Sequence, residues 1–164
     1  MSQAVPEGIQ SRSAADVKCW IFQADPKVYN IAEALQSLDH MKWSVKQHKS
    51  DIHEGDQVYL WESGGNGGLR AIATVTSEPK VQSELPEELQ FYIAKPEEEL
   101  ALRATLQINR LVDPPVTRAV LKEEKELESL SFLRGSQGTN FTLRSHEAKV
   151  LDRLASDPPT FQDI

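Results

Sequence analysis

The fold of this chain is decided by the stretch Gly55-Asp56-Gln57-Val58-Tyr59-Leu60-Trp61-Glu62-Ser63-Gly64. Its Gly-Asp pair is typical of a turn. Residues 57–62 predict a short strand, in which Val58 and Leu60 share one face and Tyr59 and Trp61 share the other, because side chains alternate along a strand. The stretch therefore predicts a turn followed by a strand with one aliphatic face and one aromatic face.

The glycine-rich segment Gly64–Gly68 comes directly after this strand. Its spacing matches neither a P-loop nor a dinucleotide-binding fingerprint, and no helix is predicted after it. We interpret it as a hairpin turn with positive φ angles that leads into a returning strand over residues 69–76. Because glycine has no side chain, such a turn also leaves room for a ligand to approach the backbone.

The segments before this hairpin predict one strand, one short helix and a short extended piece over residues 43–47. Residues 18–23 are apolar and rich in aromatic and β-branched side chains, which favours a strand. Asn30 is typical of a helix N-cap, and Glu33 three residues later completes a capping box. The chain therefore alternates between strand and helix before it reaches the central hairpin.

The segments after the hairpin predict a short aromatic strand at Phe91-Tyr92-Ile93, a further strand and two helices. Residues 100–109 alternate between apolar and polar, as in a half-buried strand. A Pro- and Glu-rich excursion precedes that strand, and Pro114-Pro115 closes the sheet region. Residues 117–130 and 142–154 predict helices, the second with Thr142 as its N-cap. Because hairpins rather than β-α-β units join the strands, we expect an α+β fold. Its centre would be a small, strongly bent sheet of mixed or antiparallel strands, closed into a barrel, with short helices at its ends.

Composition sets limits on the class of protein. The chain has 164 residues, enough for one domain with a core, and a single cysteine, Cys19, which excludes an internal disulfide and a cysteine-rich zinc site. We expect a disordered lead over residues 1–17, one domain over residues 18–155 and a tail over residues 156–164. No apolar run is long enough to cross a membrane, and the N-terminus has no signal-peptide pattern. These features favour a cytoplasmic protein, or a nuclear one if the chain is eukaryotic.

The net charge of −7 disfavours tight, non-specific binding to long duplex nucleic acid. The charge is nevertheless uneven, because Lys42, Lys46 and Lys49 surround Trp43. An aromatic wall beside hydroxyl and amide groups is what stacking on a nucleobase requires. For any one of the three tryptophans, packing in the core is the alternative interpretation.

A second loop, Arg134-Gly135-Ser136-Gln137-Gly138-Thr139-Asn140-Phe141, also carries candidate binding groups. Its Gln and Asn side chains offer paired donors and acceptors that suit a base edge, and its glycines leave space. The alternative is a plain loop before the last helix.

Catalytic and metal-binding patterns do not emerge from the sequence. The four histidines lack metal-ligand spacing, and no nucleophile motif is present. Asp25 and Asp56 form a conceivable carboxylate pair, although both fit turn positions. We therefore expect no catalytic residue, no metal and no cofactor.

Several of these motifs together resemble the EVE domain. They are Trp20-Ile21-Phe22-Gln23-Ala24-Asp25-Pro26 with Tyr29, then Trp43, then residues 55–64, and finally Gln137-Gly138-Thr139-Asn140-Phe141. They occur in the family's order and span residues 18–154. The EVE domain belongs with the PUA-like folds and is similar to the YTH readers of methylated adenine in RNA. The resemblance implies a small bent barrel with peripheral helices and a pocket for a modified base.

The resemblance also implies roles for particular residues. Trp43 matches the tryptophan that begins the aromatic cage, and Ser44 would face the base edge. Ser63 and Gly64 match a loop that lines the pocket, and Gly138, Thr139 and Asn140 match the loop that closes it. Trp20, Phe22, Trp61 and Phe141 are the alternatives for a second cage aromatic, and Gln23 and Asp25 lie in the opening motif. EVE sequences usually carry Asn in place of Asp25, which alters base-edge preference only if this side chain faces the base.

These observations predict a non-catalytic module that recognises a modified base, a modified cytosine such as 5-methylcytosine or a modified adenine, in DNA or RNA. Phosphate contacts are expected from Lys42, Lys46, Lys49 and Arg134. The expected partner is a nucleic acid rather than a membrane, and the expected state is a monomer. Two alternatives stay open: an enzyme acting on a nucleotide or small ligand with Asp25 or Asp56 as base, and a protein-interaction module that uses the acidic residues 123–128.

Overall fold

A computed structural model of the chain describes residues 17–94, 98–134 and 137–156. The predicted lead and tail therefore lie almost entirely outside the described residues. Within the described part there are six strands: β1 (Cys19–Ala24), β2 (His40–Ser44), β3 (Gln57–Glu62), β4 (Gly68–Gln82), β5 (Ala101–Val116) and β6 (Asn140–Leu143). The helices are α1 (Ile31–Ser37), α2 (Arg118–Lys122), α3 (Ser131–Arg134) and α4 (Ser145–Ser156), with 3-10 helices at Pro86–Phe91 and Lys125–Leu127. None of these helices is long and apolar enough to span a membrane.

The strands form one mixed sheet in the order β2-β5-β4-β3-β1-β6. Strands β3, β4 and β5 pair antiparallel in succession, and the predicted turn at Gly64–Gly68 joins β3 to β4 as a hairpin. A side chain at Gly67 would place its Cβ 1.9 Å from the carbonyl oxygen of Glu62, so this tight turn requires glycine there. The α+β class and the hairpin are confirmed.

The expectation that hairpins join all the strands is wrong, because β1 and β3 are parallel neighbours. The chain leaves β1, forms α1 and β2, and then returns to place β3 beside β1. The closed barrel is not seen either. Among the described residues, β2 and β6 are the two edges of the sheet and share no backbone pairing.

Strand β3 separates two hydrophobic cores, one on its aliphatic face and one on its aromatic face. Val58 and Leu60 belong to a core that also contains α1 and β2, whereas Tyr59 and Trp61 belong to a second core formed with α4 and the segments before it. All four side chains are at most 4% exposed. Both faces of β3 are thus buried, which fixes this strand as the centre of the molecule.

Element boundaries differ from the predictions where long-range pairing extends a strand. Strand β4 runs on to Gln82, into the segment predicted as an excursion, and β5 continues through Pro114-Pro115 to Val116. Thr142 lies in β6, so α4 begins at Ser145 and not where the sequence predicts. The region 117–130 contains a short α-helix and a 3-10 helix rather than one continuous helix. The predicted strand at Phe91-Tyr92-Ile93 is wrong, because Phe91 ends a 3-10 helix and Tyr92 forms an isolated bridge with Tyr29. In each case a neighbouring strand or core outweighs the local preference of the sequence.

Candidate functional site

The main cavity, of about 740 Å³, lies beside β2 and is walled by β1, β5 and the segment before β6. Its volume is in the range of small-ligand sites. Nine of the residues predicted for the site line it: Gln23, Asp25, Lys42, Trp43, Ser44, Lys46, Ser63, Gly138 and Thr139. The sheet therefore brings together parts of all the sequence segments that predict a pocket.

Trp43, which the sequence predicts as an aromatic residue of the site, lines this cavity. It is held against Phe22, with 6.3 Å between the ring centroids, and retains 7% of its exposure. Packing of most of the ring in the first core orients it, and the remaining strip faces the cavity. Trp43 is thus both a core residue and a cavity residue.

Trp20 and Phe22 line neither cavity described here, since both are buried in the first core. The indole nitrogen of Trp20 donates to Oδ2 of Asp56 over 2.9 Å. Asp56 itself is fully buried. Trp20 and Phe22 thus lie in the core that also contains Trp43, and not at the surface of either cavity.

Two side chains bridge the edge strands β2 and β6 where the sheet lacks backbone pairing. Oδ1 of Asn140 accepts from the backbone N–H groups of Lys46 and Gln47 over 2.8 and 3.2 Å. Its Nδ2 donates to the carbonyl of Ser44 over 3.1 Å. In return, Oε1 of Gln47 accepts from the N–H groups of Thr139 and Asn140, each over 2.9 Å.

This Gln47–Asn140 clamp accounts for the position of the last loop. Asn140 is 2% exposed and lines neither cavity, and its amide bonds backbone groups of the β2 side. Gln23 adds to the clamp, because its side-chain amide donates to the carbonyl of Gly138 over 3.0 Å. Gly138 has a φ of +123°, a value that favours glycine. The clamp therefore fixes Gly138 and Thr139 at the cavity wall opposite β5.

A second, smaller cavity of about 460 Å³ adjoins the first through Gln23 and Ser63, which line both. Trp61 and Gly64 line this second cavity, together with Arg118 at the start of α2. The Arg118 guanidinium donates to the carbonyls of Phe132 and Leu133 and lies over the Phe132 ring. Its charge is therefore already engaged within the protein.

The remaining predicted residues have other placements. Asp25 is exposed at the rim of the main cavity, and its Oδ1 accepts from the backbone N–H of Lys27 over 2.9 Å, which is a turn contact. Lys49 is exposed and lines neither cavity. The side chain of Arg134 lies outside the described residues. Phe141 is half-buried, packs against the second core and contacts Phe132.

The sequence did not predict the acidic wall, which we define as Glu84, Glu88, Tyr29, Tyr92 and Arg103. All five line the main cavity. Glu88 accepts from the Tyr29 hydroxyl over 2.9 Å and from the backbone N–H of Lys42 over 2.8 Å. Glu84 accepts from the Tyr92 hydroxyl and pairs with Nε of Arg103 at 3.2 Å. In the sequence, this wall is indicated by Arg103, a charged residue in the predicted alternating strand. The sequence does not show which acidic side chain pairs with it.

Burial raises the pKa of Glu88 from 4.5 to about 8, and the neighbouring charge of Glu84 adds to the effect. A carboxyl whose pKa is higher in the folded state binds its proton more tightly when folded. Its contribution to stability is therefore full below the unfolded pKa and is lost as the pH rises toward the folded pKa.

We accordingly expect the free energy of unfolding to fall between about pH 5 and about pH 8, with a slope of at most about 1.4 kcal/mol per pH unit. Urea unfolding curves across that range measure the slope. Glu88→Gln should flatten it, whereas Glu87→Gln should not, because Glu87 is exposed on the same 3-10 helix. Equal slopes in the two variants would contradict the assignment to Glu88.

The described residues, 17–94, 98–134 and 137–156, bear on two alternatives, a metal site and a catalytic pair formed by Asp25 and Asp56. No set of three or more His, Cys, Asp or Glu side chains there is placed to hold a metal ion. Burial, followed by the charges of Asp152 and Asp56, raises the pKa of Cys19 to about 11, which keeps this thiol protonated near neutral pH. Asp25 lies at the cavity rim and Asp56 in the interior, so these two carboxylates do not share a site.

Comparison with known families gives one match over most of the chain. The model of the EVE domain matches residues 18–154. Among curated proteins, none matches the sequence.

Solved structures share the fold at low sequence identity. A hypothetical protein from Leishmania major is 16% identical, with a TM-score of 0.65, and the match covers 88% of this chain and 98% of that one. Human THYN1 in complex with 5-methylcytosine-containing DNA is 11% identical, with a TM-score of 0.62 and coverage of 87% and 99%. The YTH domain of Zygosaccharomyces rouxii MRB1 in complex with N6-methyladenosine RNA is 14% identical, with a TM-score of 0.56 and coverage of 97% and 98%.

Proposed function

The chain belongs to the EVE domain family, and from this premise we propose that it is a non-catalytic reader that binds a modified nucleobase, of the cytosine or adenine type, in the cavity beside Trp43. The observation that carries the proposal is the content of that cavity. One tryptophan lies in its wall beside two serines, a threonine and backbone groups from two loops. A flat apolar surface with a few polar groups around it is suited to a base.

The polar groups have distinct roles in this proposal. Ser44, Ser63 and Thr139 read base edges through their hydroxyls, since the Ser44 carbonyl is already bound by Asn140. Gln23 and Asp25 lie at the margin of the same cavity. Trp61 and Gly64 are assigned to the adjoining cavity, where a neighbouring nucleotide of the strand would lie.

Electrostatics favour a local contact with nucleic acid rather than a broad one. Lys42 and Lys46 line the main cavity, and we assign them to phosphates beside the extracted base, with Lys49 further along. The net charge of −7 repels long duplex DNA. Affinity would therefore depend on the base in the cavity more than on phosphate contacts.

The similar solved structures support a nucleic acid partner, but one is a complex with DNA and another with RNA, so they do not indicate which polymer this chain binds. Human THYN1 is in complex with 5-methylcytosine-containing DNA, and the YTH domain is in complex with N6-methyladenosine RNA. We propose that the present chain acts as a monomer with one binding domain over residues 18–155. The Gln47–Asn140 clamp links the two edges of the sheet by side-chain hydrogen bonds, and we propose that this link takes the place of the backbone pairing that would close a barrel.

The test is Trp43→Leu, which keeps an apolar side chain but removes the flat face. Stacking on an aromatic side chain is worth about 1–3 kcal/mol per base, so the affinity for a single-stranded oligonucleotide with one modified base should fall about 5- to 150-fold. Isothermal titration of modified and unmodified oligonucleotides measures this change. Trp20→Leu is the matched control, because Trp20 is 2% exposed and lines neither cavity.

A second readout separates binding from folding. Trp43→Phe retains an aromatic ring in the core, and it should remove most of the fluorescence change that the modified oligonucleotide causes in the wild type. Trp20→Phe should leave that change in place, because Trp20 does not line the cavity. The proposal fails if the wild type does not distinguish modified from unmodified strands, or if Trp43→Leu binds them as the wild type does.

A further inference from the structure

The second cavity differs from the main cavity in the charges that line it. The main cavity is lined by four carboxyl groups and three basic side chains: Asp25, Glu84, Glu88 and Glu98, and Lys42, Lys46 and Arg103. Among the described residues, those that line the second cavity include no acid and one base, Arg118. Of the two cavities, the second is therefore the better suited to an anion.

The partners that hold the Arg118 guanidinium in place are neutral. Its Nη2 donates to the carbonyls of Phe132 and Leu133 over 3.2 and 3.1 Å, and the group lies 5.3 Å from the centroid of the Phe132 ring. None of the described carboxylates forms an ion pair with it, whereas Arg70, on the neighbouring hairpin, pairs with Glu62 at 2.6 Å. The positive charge of Arg118 is thus positioned by the protein but not neutralised by a counter-ion from the described residues.

Arg118 also retains donors that a ligand can reach. Its Nε and Nη1 have no hydrogen-bond partner in the described part of the chain, and neither atom is fully buried. The side chain as a whole is half-buried at the wall of the second cavity. A guanidinium that is held on one side and open on the other is suited to phosphate, because its planar donors match the phosphate oxygens.

The glycine turn of the β3–β4 hairpin leaves space in the same cavity. Gly67 closes this turn by donating its N–H to the carbonyl of Gly64 over 3.1 Å. Gly65 lines the cavity, has no positive φ, and would meet no protein atom within 4 Å if it carried a Cβ. The local backbone therefore does not require glycine at position 65, and the missing side chain leaves room for a ligand.

We propose that the second cavity is a phosphate subsite, in which Arg118 contacts a phosphodiester group next to the bound base. This inference rests on the proposed function, because the strand would pass from the main cavity to the second one along Gln23 and Ser63, which line both. Every nucleotide carries the same phosphate, so this contact adds affinity without distinguishing a modified base from an unmodified one.

The first experiment measures how the affinity depends on salt. Single-stranded oligonucleotides with one 5-methylcytosine or one N6-methyladenine, and their unmethylated counterparts, are titrated at several KCl concentrations. Arg118→Gln should lower the affinity about 3- to 10-fold at low salt. It should also reduce the slope of log K against log salt by about 0.7, the value for one phosphate contact on a single strand. The ratio of modified to unmodified affinity should stay as in the wild type.

Arg110→Gln is the matched control for the salt experiment. Arg110 is exposed on β5 and lines neither cavity, so the same loss of charge should leave the affinity and the slope near their wild-type values. Thermal unfolding of each variant shows whether it is folded under the conditions of the titration. This check is needed because Arg118 also holds two carbonyls of the segment that contains α3.

The second experiment removes the phosphate charge from the ligand instead of the protein. A neutral methylphosphonate replaces, one at a time, each of the two phosphates that flank the modified base. At one of the two positions the wild type should lose affinity by about the same factor as in Arg118→Gln. At that position Arg118→Gln itself should lose little more, because the contact is already absent.

The third experiment leaves Arg118 unchanged. Gly65→Asp places a carboxylate in the second cavity, where its Cβ meets no protein atom, and should lower the affinity by about 3-fold or more through repulsion of the phosphate. Asn66→Asp adds the same charge at the next residue, which is exposed and lines neither cavity. Its affinity should stay closer to that of the wild type.

The outcomes separate this inference from the proposed function. The inference is overturned if Arg118→Gln keeps the wild-type salt slope, or if each methylphosphonate weakens the wild type and Arg118→Gln by equal factors. The proposed function is overturned by a different comparison, in which the wild type binds the modified strands no more tightly than their unmethylated counterparts. A reduced slope in Arg118→Gln together with an unchanged ratio of modified to unmodified affinity supports the proposal.

Discussion

Replacing Asp56 by alanine is expected to lower the free energy of unfolding by about 3–5 kcal/mol, because a fully buried carboxylate and its bonds to three donors are lost. Oδ2 accepts from the indole of Trp20 and from the backbone N–H of His53, each over 2.9 Å. Oδ1 accepts from the backbone N–H of Lys18 over 3.2 Å. The buried indole N–H of Trp20 and the two partly buried backbone N–H groups would be left without this partner.

Urea unfolding followed by far-ultraviolet circular dichroism measures the effect without depending on tryptophan fluorescence. Asp25→Ala is the control, since Asp25 is exposed and makes a single turn contact with Lys27. It should cost about 1 kcal/mol or less. Asp56→Asn should lie between these values, because both oxygens face donors and an amide must turn its own N–H₂ group toward one of them. A wild-type stability for Asp56→Asn would show that the charge and both acceptors are dispensable.

Asp56 also shows which contacts can be predicted from the sequence alone and which cannot. The Gly55-Asp56 pair predicts a turn, and Oδ2 of Asp56 does bond the nearby N–H of His53. Its bonds to Lys18 and Trp20 join segments 36 or more residues apart, and local sequence does not encode that proximity. The two-faced strand after it could be predicted, because alternation depends only on strand geometry.

Cap and turn residues could also be predicted, because they depend on local backbone geometry. Asn30 caps α1 by accepting from the N–H of Glu33, as the sequence indicates. The reciprocal bond of a capping box is not formed, since the Asn30 N–H donates to the carbonyl of Phe91, far along the chain. The parallel pairing of β1 with β3 likewise depends on contacts that no local pattern carries.

In the candidate site, too, the residues in local sequence motifs could be predicted, and those brought together by long-range pairing could not. Trp43, Ser44 and Thr139 could be assigned to one cavity because the motifs that resemble the EVE domain include their segments, and they do line one cavity. That they bind a base stays a prediction. Glu84 and Arg103 could not be found, because their pairing depends on how β4 and β5 run past the predicted ends of the sheet.

Asn140 is the position at which fold and site depend most directly on one another, and Asn140→Ala is expected to lower the free energy of unfolding by about 2–4 kcal/mol. The substitution leaves two backbone N–H groups and one carbonyl of the β2 side without their partner. It also releases the segment that holds Gly138 and Thr139 at the cavity, so affinity for a modified oligonucleotide should fall with stability.

A double-mutant cycle with Gln47→Ala tests whether the clamp acts as a unit. Gln47 donates its backbone N–H to the Asn140 side chain and accepts the Asn140 backbone N–H with its own side chain. The two losses should therefore be less than additive, with a coupling of about 0.5–3 kcal/mol. Asn109→Ala is the control, because Asn109 is exposed and bonds Thr74 alone among the contacts described, so it should be additive with Gln47→Ala. Additive losses for Asn140 and Gln47 would show that the two edges of the sheet are held independently, and the cavity would then not depend on the clamp.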